Sequence, residues 1–231
     1  VDIFYQNISS DGSYSIEEPL AISDASGYQF APILVGNIQG GLFGVYGDQG
    51  SGSIDLKVQK LNSSFLPEWE NNGLTAMLGL DGDVNYTHSY PIAEEDLYLV
   101  WEDNRSSKKI YGSRITELEL DDVNGKQLTF GDNSSSETDF SIPYFLKASN
   151  GFYTATFDGT SSPKFIRVNR LDENLNNVWD EDGIALDAVF DMRNALLVET
   201  PDGVGCFWSE SRSTFTWYDV YYQKLDTEGN I

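Results

Sequence analysis

One short strand recurs five times along this chain, and the recurrence limits the possible folds more than any other feature. It reads Val1-Asp2-Ile3-Phe4-Tyr5-Gln6-Asn7-Ile8 first, and returns as Ile54-Asp55-Leu56-Lys57-Val58-Gln59-Lys60-Leu61. Further copies are Lys109-Ile110-Tyr111-Gly112-Ser113-Arg114-Ile115, Phe165-Ile166-Arg167-Val168-Asn169-Arg170-Leu171 and Tyr218-Asp219-Val220-Tyr221-Tyr222-Gln223-Lys224-Leu225. A polar anchor falls at Gln6, Gln59, Ser113, Asn169 and Gln223, so successive copies lie 53, 54, 56 and 54 residues apart. Self-similarity at a fixed period of this size is the mark of a repeat architecture.

Three further strand signals keep the same period. An aromatic-ending strand precedes each of the last four copies and is followed within two residues by an acid: Asp48, Asp103, Asp158 and Glu210. Upstream of it lies a strand marked by Pro32, Pro91 or Pro143, with Ala195-Leu196-Leu197-Val198 as the last, proline-free copy. Downstream of the anchor, Trp69 and Trp179 each stand ten residues on and four residues before a glycine, Gly73 and Gly183. Four short strands per repeat of about 54 residues, joined by turn-rich loops, predict an all-β fold, a β-propeller of four-stranded blades. No segment combines a 3.6-residue period with capping signals, so little helix is expected. The blade parts run approximately over 1–24, 25–79, 80–131, 132–187 and 188–231. The third strand occurs at both ends, so the chain reads as a fragment of a larger propeller within a longer parent chain.

The formal net charge of −23 narrows the partners. Phosphate binding needs a basic face, so nucleic acid is not expected, and an anionic membrane surface is disfavoured for the same reason. No run of 18 apolar residues exists, so no membrane insertion is expected. The single cysteine, Cys206, lies in the apolar run Val204-Gly205-Cys206-Phe207-Trp208 and is expected to be a small buried hydrophobe. His88 is the one histidine, which leaves neither a Cys–His pair with a local motif nor a histidine metal cluster. There is no G-x-S-x-G, P-loop or C-x-x-C.

The pieces join into aromatic-x-[DE]-x-R, a loop, D-[IV]-x-Y-Q-K-L-D-x-x-G, then W-x-x-x-G. The fullest copies are Trp101-Glu102-Asp103-Asn104-Arg105, Trp208-Ser209-Glu210-Ser211-Arg212 and Asp219-Val220-Tyr221-Tyr222-Gln223-Lys224-Leu225-Asp226-Thr227-Glu228-Gly229. This pattern resembles the W-x-D-x-R … D-[IV]-Y-x-Q-K-L-D propeller repeats of large secreted and surface proteins of bacteria, notably Bacteroidota. The resemblance covers nearly the whole chain and implies a secreted or cell-surface location. Many such proteins leave the cell by the type IX pathway, through a C-terminal sorting domain that this sequence does not display. The turn Leu225-Asp226-Thr227-Glu228-Gly229 is also similar to the Asp-box turn of sialidase-like propellers.

Candidate sites follow from residue chemistry. In the W-x-[DE]-x-R loops, Asp103 with Arg105 and Glu210 with Arg212 can hold ligand, or can pin the loop by charge-assisted hydrogen bonds. Asp48, Asp103 and Glu210, with the anchors Gln6, Gln59 and Gln223, read as the structural repeat. Trp101, Trp208 and Trp217 are candidate stacking surfaces for sugar rings, and Trp217 stands apart because it sits in an inserted loop, 211–217. No cofactor is required, but Asp81 with Asp83 and Asp180 with Asp182 offer oxygens for Ca²⁺, without matching the EF-hand pattern. No catalytic residue is assigned. The expectation is a noncatalytic extracellular module that binds a glycan or protein. The alternatives are a sialidase-like or other propeller glycoside hydrolase using two carboxylates, and a purely structural spacer.

Overall fold

In this computed structural model, residues 2–38, 40–50, 52–69, 72–79, 89–94, 96–103, 109–116, 120, 123–128, 144–158, 163–180, 183–212 and 217–231 are described. Their secondary structure is entirely β, with no helix among the described residues. The expectations at Asp81, Asp83, His88, Arg105 and Asp182, and for the Asp103 side chain, lie outside the described residues. The chain divides into two compact units, Val1–Leu99 with Ser113–Gly125, and Val100–Gly112 with Lys126–Ile231.

Among the described residues, seventeen strands form five antiparallel sheets. β1 (Ile3–Tyr5) pairs with β2 (Leu20–Ser23). β3 (Gln29–Gly36), β4 (Leu42–Asp48), β5 (Asp55–Leu61) and β6 (Leu74–Met77) lie in that order in the second sheet. β7 (Ser89–Ala93), β8 (Leu97–Asp103), β9 (Lys109–Ile115) and β10 (Lys126–Gln127) form the third. β11 (Tyr144–Ala148), β12 (Gly151–Asp158), β13 (Phe165–Leu171) and β14 (Ile184–Ala185) form the fourth. β15 (Met192–Thr200), β16 (Gly203–Glu210) and β17 (Asp219–Asp226) form the fifth, which has three strands. Neighbours in each sheet are consecutive in sequence.

The middle strands are buried on both faces, as β4 shows with Phe43, Val45 and Tyr46 and β5 with Leu56, Val58 and Leu61, all 2% exposed or less. Each such side chain contributes about 1.5–3 kcal/mol on burial. In the second unit, Tyr153, Ala155, Ile166 and Val168 of the fourth sheet pack against Met192, Leu197, Val204, Cys206 and Trp208 of the fifth. In the first unit, Ile3, Tyr5 and Ile22 pack with Tyr46 and Leu61. The opposite face of the fifth sheet is exposed at Leu196, Val198, Val220 and Tyr222.

Two local devices recur with the sequence period. A five-residue turn follows the anchor strand at 9–13, 62–66, 172–176 and 226–230, each with its first amide bonded to its fifth carbonyl. The fourth residue has a positive φ: Gly12 at 86°, Phe65 at 61°, Leu175 at 56° and Gly229 at 86°. Asn62, Asp172 and Asp226 hold the last three turns by accepting two backbone amides on one side-chain oxygen, a local bond that Asx side chains make without tertiary help. The second device is a glycine where the second strand begins. A Cβ at Gly41, Gly151 or Gly203 would lie 2.2, 2.2 or 2.1 Å from the carbonyl oxygen of Leu61, Leu171 or Leu225.

Candidate functional site

The repeated acid closes each second strand, and at Asp48, Asp158 and Glu210 the structure commits its carboxylate to the scaffold. Asp48 accepts from Gln29 Nε2 at 3.0 Å. Asp158 accepts from Arg167 Nε at 2.7 Å, with the Asp158 side chain only 4% exposed. Glu210 is fully buried and takes donors on both oxygens. Its Oε1 accepts the amides of Val189 and Phe190, each at 2.7 Å. Its Oε2 accepts Arg212 Nε at 2.8 Å and Trp208 Nε1 at 3.3 Å. Burial pushes the Glu210 carboxyl up, but the Phe190 amide, Arg212, the Val189 amide and Trp208 together outweigh it, so its pKa lies below the usual value. A carboxylate this saturated fixes the β14–β15 loop onto the end of β16.

The anchors are committed in the same way. Gln6 Nε2 donates to Ile16 O at 3.0 Å, and Gln59 both donates to Trp69 O and accepts from Trp69 N. Asn169 Nδ2 donates to Asp180 O at 3.2 Å. Gln223 Nε2 bonds to the adjacent Lys224 O at 3.1 Å. Gln6, Gln59 and Asn169 thus tie the third strand to chain ten or eleven residues further on, whereas Gln223 bonds only locally.

Against this regular frame, the fifth sheet departs from the repeat at one end. β15 carries a register break between Arg193 and Leu196, as β3 does between Phe30 and Ile33. Arg193 therefore occupies the place of Phe30, and the same place in sequence is Ser89 and Ser141. The extra residue at the break, Asn194, has φ 55° where Ala31 has 49°, and such bulges re-aim the neighbouring side chain. Asn194 Nδ2 donates to Ser209 Oγ, which in turn donates to Arg193 O, so the bulge is tied to β16. The Arg193 guanidinium lies over the Tyr218 ring, 5.0 Å from its centroid.

These departures frame an open pocket of about 450 Å³, lined by Pro163, Val189, Phe190, Asp191, Arg193, Ser211 and Tyr218. The lining comes from the β12–β13, β14–β15 and β16–β17 connections and the start of β15, which all fall at one end of their sheets. Asp191 Oδ1 accepts the Lys164 amide at 2.9 Å, which fastens the β14–β15 loop to the chain entering β13. Phe190 and Tyr218 are both 47% exposed, and Trp217, next in sequence to Tyr218, is 76% exposed. Exposed aromatics beside a cation and a hydroxyl are the elements of a site for a polar ligand with flat apolar faces.

Of the tryptophans proposed from sequence as stacking surfaces, only Trp217 presents its ring to solvent. Trp101 is 0% exposed and stacks on Tyr111 with centroids 6.4 Å apart. Trp208 is 5% exposed and stacks on Tyr221 at 6.0 Å. Both are packing residues rather than ligand contacts, because their places at the ends of second strands lie beneath cross-strand aromatics. Arg212 is bound to Glu210 and lies over Tyr221 at 4.0 Å, so it braces the loop. The Asp180 carbonyl accepts from Asn169 and from the Gly183 amide. Among the described residues, no three His, Cys, Asp or Glu side chains converge as a metal site. Sequence reasoning passed over Arg193, Phe190 and Tyr218. The signal for Arg193 was present as a lone cation where the other copies have Phe or Ser.

No family model matches the chain, and no curated protein matches it. Solved structures with some similarity include a thermostable family-43 glycoside hydrolase, at 11% identity and TM-score 0.43, covering 88% of this chain and 73% of that one. An endo-arabinanase from Bacillus licheniformis matches at 11% identity and TM-score 0.39, over 87% and 76% of the two chains. An α-L-arabinofuranosidase from Lactobacillus brevis matches at 12% identity and TM-score 0.40, over 92% and 80%. At such scores the likeness transfers neither an activity nor a residue role to this chain.

Proposed function

We propose that this chain is part of an extracellular β-propeller, and that it binds a glycan in the pocket at the β14–β15 and β16–β17 loops. The observation that carries the reading is the concentration of departures from the repeat around one open pocket. A scaffold can repeat its packing, but a ligand site need occur only once. Here Arg193, a cation where the other copies have Phe or Ser, and the exposed Tyr218 ring line the same pocket, and the exposed Trp217 is next to Tyr218 in sequence. Sugar rings present apolar C–H faces between hydroxyls, and aromatic rings flanked by charged or hydroxyl groups match that alternation.

A binding role fits this pocket better than hydrolysis. Glycoside hydrolysis in its usual form needs two carboxylates facing each other across the bond, about 5–10 Å apart. Asp191 is the one acid among the described lining residues, and the nearby Glu210 carboxylate is consumed by four donors. The test is a glycan array run on the purified chain, with and without Ca²⁺, beside a reducing-sugar assay on the glycans that bind. Selective binding without release of reducing ends supports the module. Turnover of a bound glycan would move the assignment to a hydrolase, and the absence of any glycan ligand would move it to a protein partner or a spacer.

A further inference from the structure

We infer that the open face of the fifth sheet is a docking surface for a second copy of this chain, and that it takes the first sheet of that copy. The inference is independent of the pocket and its ligand. It starts from the third strand of the repeat, read outward from the polar anchor. Three residues before the anchor stand Ile3, Leu56, Ile110, Ile166 and Val220. The first four are buried, at 6% exposure or less, and Val220 is 75% exposed. One residue before the anchor, Tyr5, Val58 and Val168 are buried, while Tyr222 is exposed. Two residues after it, on the opposite face of the strand, stand Ile8, Leu61, Ile115, Leu171 and Leu225. The last four are all 0% exposed, and Ile8 is 63% exposed.

These two faces are the two halves of one interface, which the chain builds twice. Ile3 and Tyr5 of the first sheet pack with Tyr46 and Leu61 of the second. Ile166 and Val168 of the fourth sheet pack with Trp208 and Leu225 of the fifth. In each case the residues before the anchor in one sheet meet the residue after it in the next. In the single chain one half is left exposed at Val220 and Tyr222, and the other at Ile8. Around Val220 and Tyr222 the patch continues through exposed Leu196 and Val198 and part-buried Phe207, whose ring lies 4.6 Å from that of Tyr222. Exposed Phe4 and Tyr14 flank Ile8. None of these residues is charged, so what fits the face is an apolar sheet of the same repeat. A second copy carries that complement, and the contact is head-to-tail because each copy offers one of each half. The net charge of −23 opposes association at long range, and salt screens that repulsion while leaving apolar burial intact.

The experiment follows the mass of the whole chain by sedimentation, from micromolar to near-millimolar concentration, at low and high salt. The expected result is concentration-dependent association that strengthens as salt rises. Val220→Lys and Ile8→Lys each weaken it roughly tenfold or more, with thermal melts unchanged. Ile38→Lys, at an exposed apolar residue outside both halves, leaves it as it was. Chains carrying Val220→Cys should link to chains carrying Ile8→Cys through a bismaleimide spanning about 10 Å, the spacing of packed sheets, and the buried Cys206 does not compete. A chain that stays monomeric at every concentration overturns the inference. So does association that Val220→Lys leaves unchanged, or Val220→Cys chains that link only to one another.

Discussion

Gln59 and Trp69 are joined by two hydrogen bonds, from Gln59 Nε2 to Trp69 O at 3.0 Å and from Trp69 N to Gln59 Oε1 at 3.1 Å. The side-chain amide here does the work of a strand: it offers one donor and one acceptor to a stretch of backbone that no ladder reaches. Replacing Gln59, itself 1% exposed, by Leu leaves both Trp69 backbone groups without this partner. Each buried group so orphaned costs about 1–3 kcal/mol. Urea unfolding should therefore show Gln59→Leu destabilised by at least about 2 kcal/mol.

Glu210 should be the most sensitive of the repeated acids. Glu210→Gln removes the charge that two amides, Arg212 and Trp208 stabilise; Arg212 is 36% exposed and stays solvated, so the cost is about 1.5–3 kcal/mol, that of hydrogen bonds to a charged group. Because the folded pKa is depressed, the contribution is present above the unfolded value near 4.3 and is lost as pH falls through the lower folded value. Asp172 and Asp226 are shifted the same way, Asp172 against burial by Asn176 and nearby amides, and Asp226 chiefly by Asn230. The expected outcome is a parent protein that loses stability with acid below about pH 4, while the gap to Glu210→Gln narrows. Melting curves from pH 7 to 2 check the sign.

Trp208 and Trp217 should separate folding from binding. Trp208→Ala empties a core position and costs about 3–5 kcal/mol. Trp217→Ala touches a ring that is 76% exposed and should change stability by less than about 0.5 kcal/mol. If the pocket binds a glycan as proposed, Trp217→Ala lowers affinity by roughly tenfold with the melt unchanged.

Cys206 should be chemically silent in the folded protein. It is 0% exposed, and burial pushes its thiol up to about 12, so almost no thiolate exists at neutral pH. A thiol reagent should label it only at the rate of unfolding, and one equivalent should react at once in denaturant. Fast labelling under native conditions would contradict the packing around β16.

Two glycine substitutions should differ widely. Gly203→Ala drives a Cβ to 2.1 Å from the Leu225 carbonyl at φ 151°, and neither backbone can yield without breaking the β16–β17 ladder. Gly12→Ala meets nothing within 4 Å and carries only the strain of φ 86°, about 1 kcal/mol. Calorimetric melts should rank them in that order.

The sequence by itself determined the β class and the second and third strands of the repeat; the fourth strands begin at Leu74 and Ile184, after Gly73 and Gly183, and not at Trp69 and Trp179, where the sequence reading set them. What it determined depends on interactions close in the chain: apolar–polar alternation, Asx bonds spanning two to four residues at Asn62, Asp172 and Asp226, and anchors that grip backbone about ten residues on. Such rules are written in spacing, so the period exposed them. What the tertiary structure alone decided was which residues share a surface. The repeat sets Trp101 and Trp208 at anchor positions and Trp217 in an inserted loop, and the structure shows which rings the first two pack against, Tyr111 and Tyr221. The pocket draws Pro163, Phe190, Arg193 and Tyr218 from segments up to 55 residues apart (163 to 218). No short-range rule links those positions; two sheets must first pack face to face, driven by burial that is blind to the polar loops carried at their ends.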